Sequence, residues 1–129
     1  MALALDGRLT AFLYTGDIDR CLDWYREVIG LEAHGRDEYG AFLRSGSALI
    51  RVTVMPDRSP SEHPVLGWDV PDIRAAAQLL RGKGVSFTIY EGMGQDELGI
   101  WSAPDGATHL AWFADPDGNL LGLSQTADA

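Results

Sequence analysis

The chain carries the same outline twice. Residues 9–14 form an apolar, aromatic strand candidate, and Thr15-Gly16-Asp17 follows as a turn ending in a helix N-cap. Ile18, Cys21, Leu22, Tyr25 and Ile29 then keep helical spacing, which predicts a helix over 18–29 closed by Gly30. About fifty-five residues later the pattern returns. Val65–Val70 reads as a strand, Pro71-Asp72 as turn and cap, and Ile73–Arg81 as a helix ended by Gly82 and Gly84. Asp17-Ile18 matches Asp72-Ile73, Arg26 matches Arg81, and Gly30-Leu31 matches Gly84-Val85.

Each half continues as strands. In the first, Glu38–Arg44 and Ala48–Met55 are joined by Ser45-Gly46-Ser47. In the second, Val85–Tyr90 leads through a glycine-rich loop, residues 91–100, read as a plain connection or a lid over a site, to a strand over 108–113. Asp115-Pro116-Asp117-Gly118 is then a turn with a mechanism: proline fixes one corner, Asp caps a backbone N–H, and Gly accepts a positive φ. Leu120–Gln125 closes the half as a strand, and Asp105-Gly106 marks another hairpin turn. The organisation expected is one domain of 129 residues, with module one over 8–56, a proline-bearing linker over 57–64, and module two over 65–126.

Strand parity separates two faces. Leu13, Ile50, Val52, Ala111, Phe113, Leu121 and Leu123 fall on the helix side, with His109. The open face would collect Thr10, Phe12, Tyr14, Arg51, Thr53, Asp69, Leu110, Trp112 and Gly122. An aromatic surface with few polar groups suits a small-molecule pocket; a second core layer or a dimer contact would have the same makeup. Phe12, Tyr14, Trp101 and Trp112 would bury or stack on a ligand. Arg51 and Asp69 would orient its polar end or pair with each other.

The formal charge of −9 argues against nucleic-acid and anionic-membrane partners. Cys21, the single cysteine, reads as a core thiol. Asp6 and Arg8 interrupt the first apolar residues, no basic leader is present, and a cytoplasmic protein is expected.

Four pieces in order, TGDIDRCLDWYREVIGLE at 15–32, VPDI at 70–73, WSAPDG at 101–106 and AWFADPDGNLLGL at 111–123, resemble the vicinal oxygen chelate superfamily. That superfamily includes glyoxalase I, bleomycin-resistance and fosfomycin-resistance proteins, and extradiol dioxygenases. The resemblance implies an α+β fold of two paired βαβββ modules, a curved mixed-sheet cup with helices on the outer face, and a homodimer. In metal-dependent members a ligand opens each module seven residues before the capping Asp, and a Glu follows the DPDG glycine by four. Carried over, those places are Thr10, Val65 and Gly122, none a competent donor in the usual sense. His34, His63 and His109 offer no HxH, HxxxH or HExxH spacing. The reading is therefore a small-molecule binder with no metal and no cofactor, taking an antibiotic or aromatic natural product. The alternatives are a metal-dependent or acid–base lyase, isomerase or dioxygenase, and an interaction module whose cup its own side chains fill.

Overall fold

The computed structural model describes residues 5–126. The chain divides between Arg58 and Ser59 into two compact units. Among the described residues no helix is long and apolar enough to cross a membrane.

The first unit runs β1 (Thr10–Thr15), α1 (Ile18–Trp24), β2 (Glu32–Asp37), β3 (Gly40–Ser45) and β4 (Ala48–Val54). Its sheet has the order β1-β4-β3-β2, with β1 parallel to β4 and the other pairs antiparallel. Helix α1 starts where the repeat predicts it, because the Asp17 carboxylate accepts the Arg20 N–H at 3.1 Å. Packed on β3 and β4, it sets Cys21 and Tyr25 on the core side, where Leu13, Leu43, Ile50 and Val52 are also buried. The expected helix to Ile29 is corrected at its end. From Tyr25 to Ile29 the backbone makes a π-helical turn, and the N–H groups of Gly30 and Leu31 both donate to the Tyr25 carbonyl, at 2.9 and 3.0 Å. An α and a π turn share nearly the same apolar pattern, so spacing alone does not separate them.

The second unit runs β5 (Leu66–Asp69), α2 (Ile73–Gly82), β6 (Trp101–Ser102), β7 (Thr108–Ala114) and β8 (Leu120–Thr126). Its sheet order, β5-β8-β7-β6, and its parallel and antiparallel pairings repeat those of the first. The Asp72 carboxylate caps α2 through the Ala75 N–H at 3.1 Å. Ile73, Ala77 and Leu80, spaced four and three apart, are the buried stripe of that helix. On the sheet, Ala111, Phe113, Leu121 and Leu123 are buried on the helix side, as parity predicts. Burying a side chain of Phe113's size stabilises by roughly 1.5–3 kcal/mol.

Two strand expectations change. Residues 32–37, which include His34 and carry no strand expectation from sequence, form β2, whose residues are all exposed. A polar edge strand shows no alternation, and its pairing with β3 defines it; there Arg44 donates to His34 Nδ1 at 2.8 Å. The strand expected over Glu38–Arg44 accordingly begins at Gly40, after a turn in which Asp37 accepts the Tyr39 and Gly40 N–H groups. Conversely, Val85–Tyr90 is not a strand and contributes one bridge, Phe87 to Phe113. The two-residue β6 takes the outer place beside β7. Side chains replace a ladder here. Gln95 accepts the Tyr90 N–H and donates to the Thr88 and Gly99 carbonyls, while Asp96 accepts the Leu98 and Ile100 N–H groups.

The turn before β8 is fixed as the sequence demands. The buried Asp115 carboxylate accepts the Asp117 and Asn119 N–H groups at 2.9 and 3.0 Å and the Asn119 amide at 2.9 Å. Gly118 has φ +85°, and a Cβ there would lie 3.3 Å from Pro60 Cγ. The turn thus needs glycine for conformation and to let the inter-module segment lie against it.

Candidate functional site: the open sheet faces

The open faces are built on matching rows. Phe12 and Gly67 each stand five residues before the capping Asp of their module, Asp17 and Asp72. In the first module the row reads Phe42, Arg51, Phe12 across β3, β4 and β1. In the second it reads Trp112, Gly122, Gly67 across β7, β8 and β5.

The first row is filled. The Arg51 guanidinium lies 4.9 Å from the Phe42 ring centroid and donates to both Asp37 carboxylate oxygens at 3.0 Å. Only 16% of the Arg51 side chain is exposed. Its hydrogen bonds, with the N–H of Tyr39, hold the Asp37 carboxyl below its ordinary 3.8. Beside the row, Arg58 covers Tyr14 at 4.0 Å from the ring centroid. Phe12, 63% exposed, is the open end of this surface. Arg51 therefore pairs with Asp37, a correction to the Arg51–Asp69 pairing weighed from sequence.

The second row is bare beside its indole. A Cβ added at Gly122 would meet nothing closer than the Ala111 carbonyl oxygen at 3.8 Å. Pro64, Val65, Gly67, Leu110, Trp112, Gly122 and Ser124 border a cleft of about 370 Å³ on this face. Asp69 shares the face and accepts the hydroxyls of Ser124 at 2.9 Å and Thr126 at 3.2 Å. Trp101, opposite Leu110, shares it too but lines neither this cleft nor the next.

A larger, open cleft of about 820 Å³ adjoins, with Trp112 and Pro64 common to both. Its lining includes residues 61–64 of the inter-module segment and Tyr90, Glu91 and Met93 of the loop that Gln95 and Asp96 brace. Tyr90 meets Trp112 edge-on, with ring centroids 5.4 Å apart. Parity finds Trp112 but not these walls. The segment 57–64 reads as a plain linker, and nothing periodic in 90–93 marks it as lining. The three prolines of 56–64 and the Gln95-Asp96 pair were the available signals.

The helix side of the second module also holds a cavity, about 350 Å³, with Arg74, Asp96, Ser102, His109 and Gln125 on its walls. Its polar groups satisfy one another. Ser102 Oγ and His109 Nδ1 are 2.7 Å apart, Gln125 accepts the Ile73 N–H, and Arg74 donates to Asp96. Glu97 also holds Arg74, which lowers the Glu97 carboxyl and raises the guanidinium from their ordinary values.

The residues at the family's ligand places do not fit a divalent metal. Val65 and Gly122 have no donor atom, Thr10 has a neutral hydroxyl, and His63 lies exposed at the wall of the larger cleft. Among the described residues no three His, Cys, Asp or Glu side chains are grouped to hold a metal ion.

Comparison with known proteins places these faces in a family. The model of the glyoxalase/bleomycin resistance protein/dioxygenase superfamily matches residues 7–123. A search among curated proteins finds no match. Among solved structures, a glyoxalase family protein from Bacillus anthracis is 19% identical with TM-score 0.74, covering 98% of this chain and 99% of its own. A superfamily member from Sphaerobacter thermophilus is 22% identical with TM-score 0.72, over 95% of this chain and 99% of its own. An antibiotic binding protein from Streptomyces sp. CB03234 is 20% identical with TM-score 0.68, over 97% and 99%. At these identities the likeness establishes the fold alone.

Proposed function

The chain belongs to the glyoxalase/bleomycin resistance protein/dioxygenase superfamily, and from that premise we propose that it binds a small aromatic molecule without a metal. The carrying observation is Trp112: its indole stands between two clefts, and its cross-strand neighbour is Gly122, where a metal enzyme of the family would place a carboxylate. Removing a side chain there takes away a ligand and uncovers an aromatic surface in one step. A cleft of about 820 Å³ falls within the volume range of small-molecule sites.

The mechanism is sequestration. A planar ligand stacks on Trp112 against Tyr90 and gains from burial and ring geometry. Gly122 and Gly67 leave it room, while Asp69 and Ser124 give the adjoining face its polar edge. Trp101 extends the aromatic surface along β6. In the first module Arg51 and Arg58 cover the row and Tyr14, so Phe12 alone is left exposed to extend the surface, and the chain works as a cytoplasmic homodimer. The class of ligand we favour is an antibiotic or aromatic natural product, in keeping with the Streptomyces relative described as antibiotic binding.

Titration of aromatic compounds followed by tryptophan fluorescence tests this reading. Saturable quenching that disappears in Trp112→Phe with thermal stability retained supports it. Calorimetric titration with Zn²⁺, Ni²⁺, Mn²⁺ and anaerobic Fe²⁺ tests the metal-free part. One-site micromolar binding by any of these ions would sink that part.

A further inference from the structure

The first module supplies a template for what the second lacks. Its open-face row combines an aromatic ring, a cation over that ring, and a carboxylate on the cation: Phe42, Arg51 and Asp37. Every charge there is paired within the module, and the guanidinium is mostly buried. In the second module the aromatic ring is Trp112, and the residue equivalent to Arg51 in the row is Gly122. Carboxylates are again present, since Glu62 and Glu91 both line the larger cleft that Trp112 borders, next to the smaller cleft that Gly122 borders. Neither glutamate makes a hydrogen bond or ion pair among the described residues. Among the described residues no Lys or Arg lines that cleft. The second module's arginines are engaged elsewhere, Arg74 with Asp96 and Glu97, and Arg81 with the Glu97 carbonyl.

We propose that the missing element is the ligand's own positive charge: the cleft takes an aromatic cation, with an ammonium, amidinium or ring-nitrogen charge over Trp112 within reach of the carboxylates that line the same cleft, Glu62 and Glu91. This rests on the small-molecule reading above and narrows it to one charge class. Three effects favour it. The indole face attracts a cation, and most strongly where the site is partly dehydrated. Two carboxylates in its lining make the cleft negative, and its walls focus that field. The chain's net charge of −9 draws cations toward the surface before any contact forms. A neutral aromatic gains only the stacking, and an anion is opposed by both glutamates.

Three probes of matched shape separate these contributions: N-methylquinolinium, 1-methylnaphthalene and 1-naphthoate. The first two are isosteric and differ in charge; the third carries the opposite sign. Calorimetry on the intact chain at low salt should find the cation bound about tenfold more tightly than the neutral compound, with naphthoate weakest. In the Glu62→Gln, Glu91→Gln double variant the cation should fall to within about twofold of the neutral probe, whose affinity stays unchanged. Both side chains are exposed, so the neutral probe also reports that the variant is folded. Equal affinity of the two isosteres in the parent protein overturns the cation inference and leaves the small-molecule reading standing. Absence of binding by all three, or binding that Trp112→Ala leaves unchanged, overturns both.

Discussion

The two modules have the same strand order, the same Asp-capped helix and the same division into helix side and open side, yet they finish their open faces in opposite ways. In the first, Arg51 fills the middle of the row and Arg58 covers Tyr14. In the second, glycine takes the middle and the indole beside it borders two clefts. The lesson is that an aromatic sheet face is not in itself a binding site. The first module shows such a face completed by its own chain. Only where the completing side chain is absent does the face become available to a ligand.

The sharpest way to press on this comparison is to delete neighbouring aromatics on opposite sides of β7. Phe113 is fully buried and meets Phe87 edge-on at 5.5 Å, so Phe113→Ala should cost about 3–5 kcal/mol in denaturant unfolding. Trp112→Ala, one residue away on the open side, should cost about 1–2 kcal/mol and remove at least tenfold of ligand affinity. If Trp112→Ala proves as destabilising as Phe113→Ala, the indole is core and the contrast between the modules fails.

Two glycines give the next test. A Cβ at Gly40, in the first module, would collide with the Val52 carbonyl oxygen, a backbone atom that cannot turn aside. Gly40→Ala should therefore cost about 3 kcal/mol. A Cβ at Gly122 would make only ordinary contacts, with the Ala111 and Leu66 carbonyl oxygens at 3.8 and 4.0 Å, and its replacement by arginine copies the Arg51 of the first module. Gly122→Arg should shift stability by no more than about 1 kcal/mol and lower the affinity for aromatic ligands about tenfold, because the new guanidinium covers Trp112 as Arg51 covers Phe42. Undiminished binding in Gly122→Arg would separate the ligand from the row altogether.

Much of this was legible in the sequence, and the reasons differ by element. Asp17 and Asp72 fix the helix starts because a cap is local chemistry, and the parity of β4, β7 and β8 follows from apolar alternation. Strand β2 was not legible: its exposed residues carry no pattern, and its strand character comes from β3. The loss of a strand over 85–90 was hidden for the converse reason, since a β-forming composition is overruled by the side-chain bonds of Gln95. The site divides along the same line. Trp112 and Gly122 can be read from β-strand parity, whereas Glu62, Tyr90 and Glu91 reach the cleft through segments with no repeating pattern. The partner of Arg51 was missed because Asp37 ends β2, the exposed strand that carries no pattern.

The smallest effect expected lies in the self-completed row and concerns its counter-ion. The hydrogen bonds from Arg51 come first among the causes that hold the Asp37 carboxyl below 3.8, followed by the Tyr39 N–H. A carboxyl depressed in the folded state stabilises the fold fully above its unfolded value. That contribution is lost as pH falls through the lower folded value. The window therefore lies on the acid side of 3.8, and near neutral pH the pair should leave stability insensitive to pH. Carbon-detected NMR titration of the Asp37 carboxyl should give a midpoint under 3.8, and Arg51→Ala should move it upward. The shift will be modest, because the Tyr39 and Gly40 N–H groups still donate to the same carboxylate. A midpoint that Arg51→Ala leaves in place would mean that the turn alone holds Asp37. Arg51 would then be free to meet a ligand, and the first module would be open as the second is.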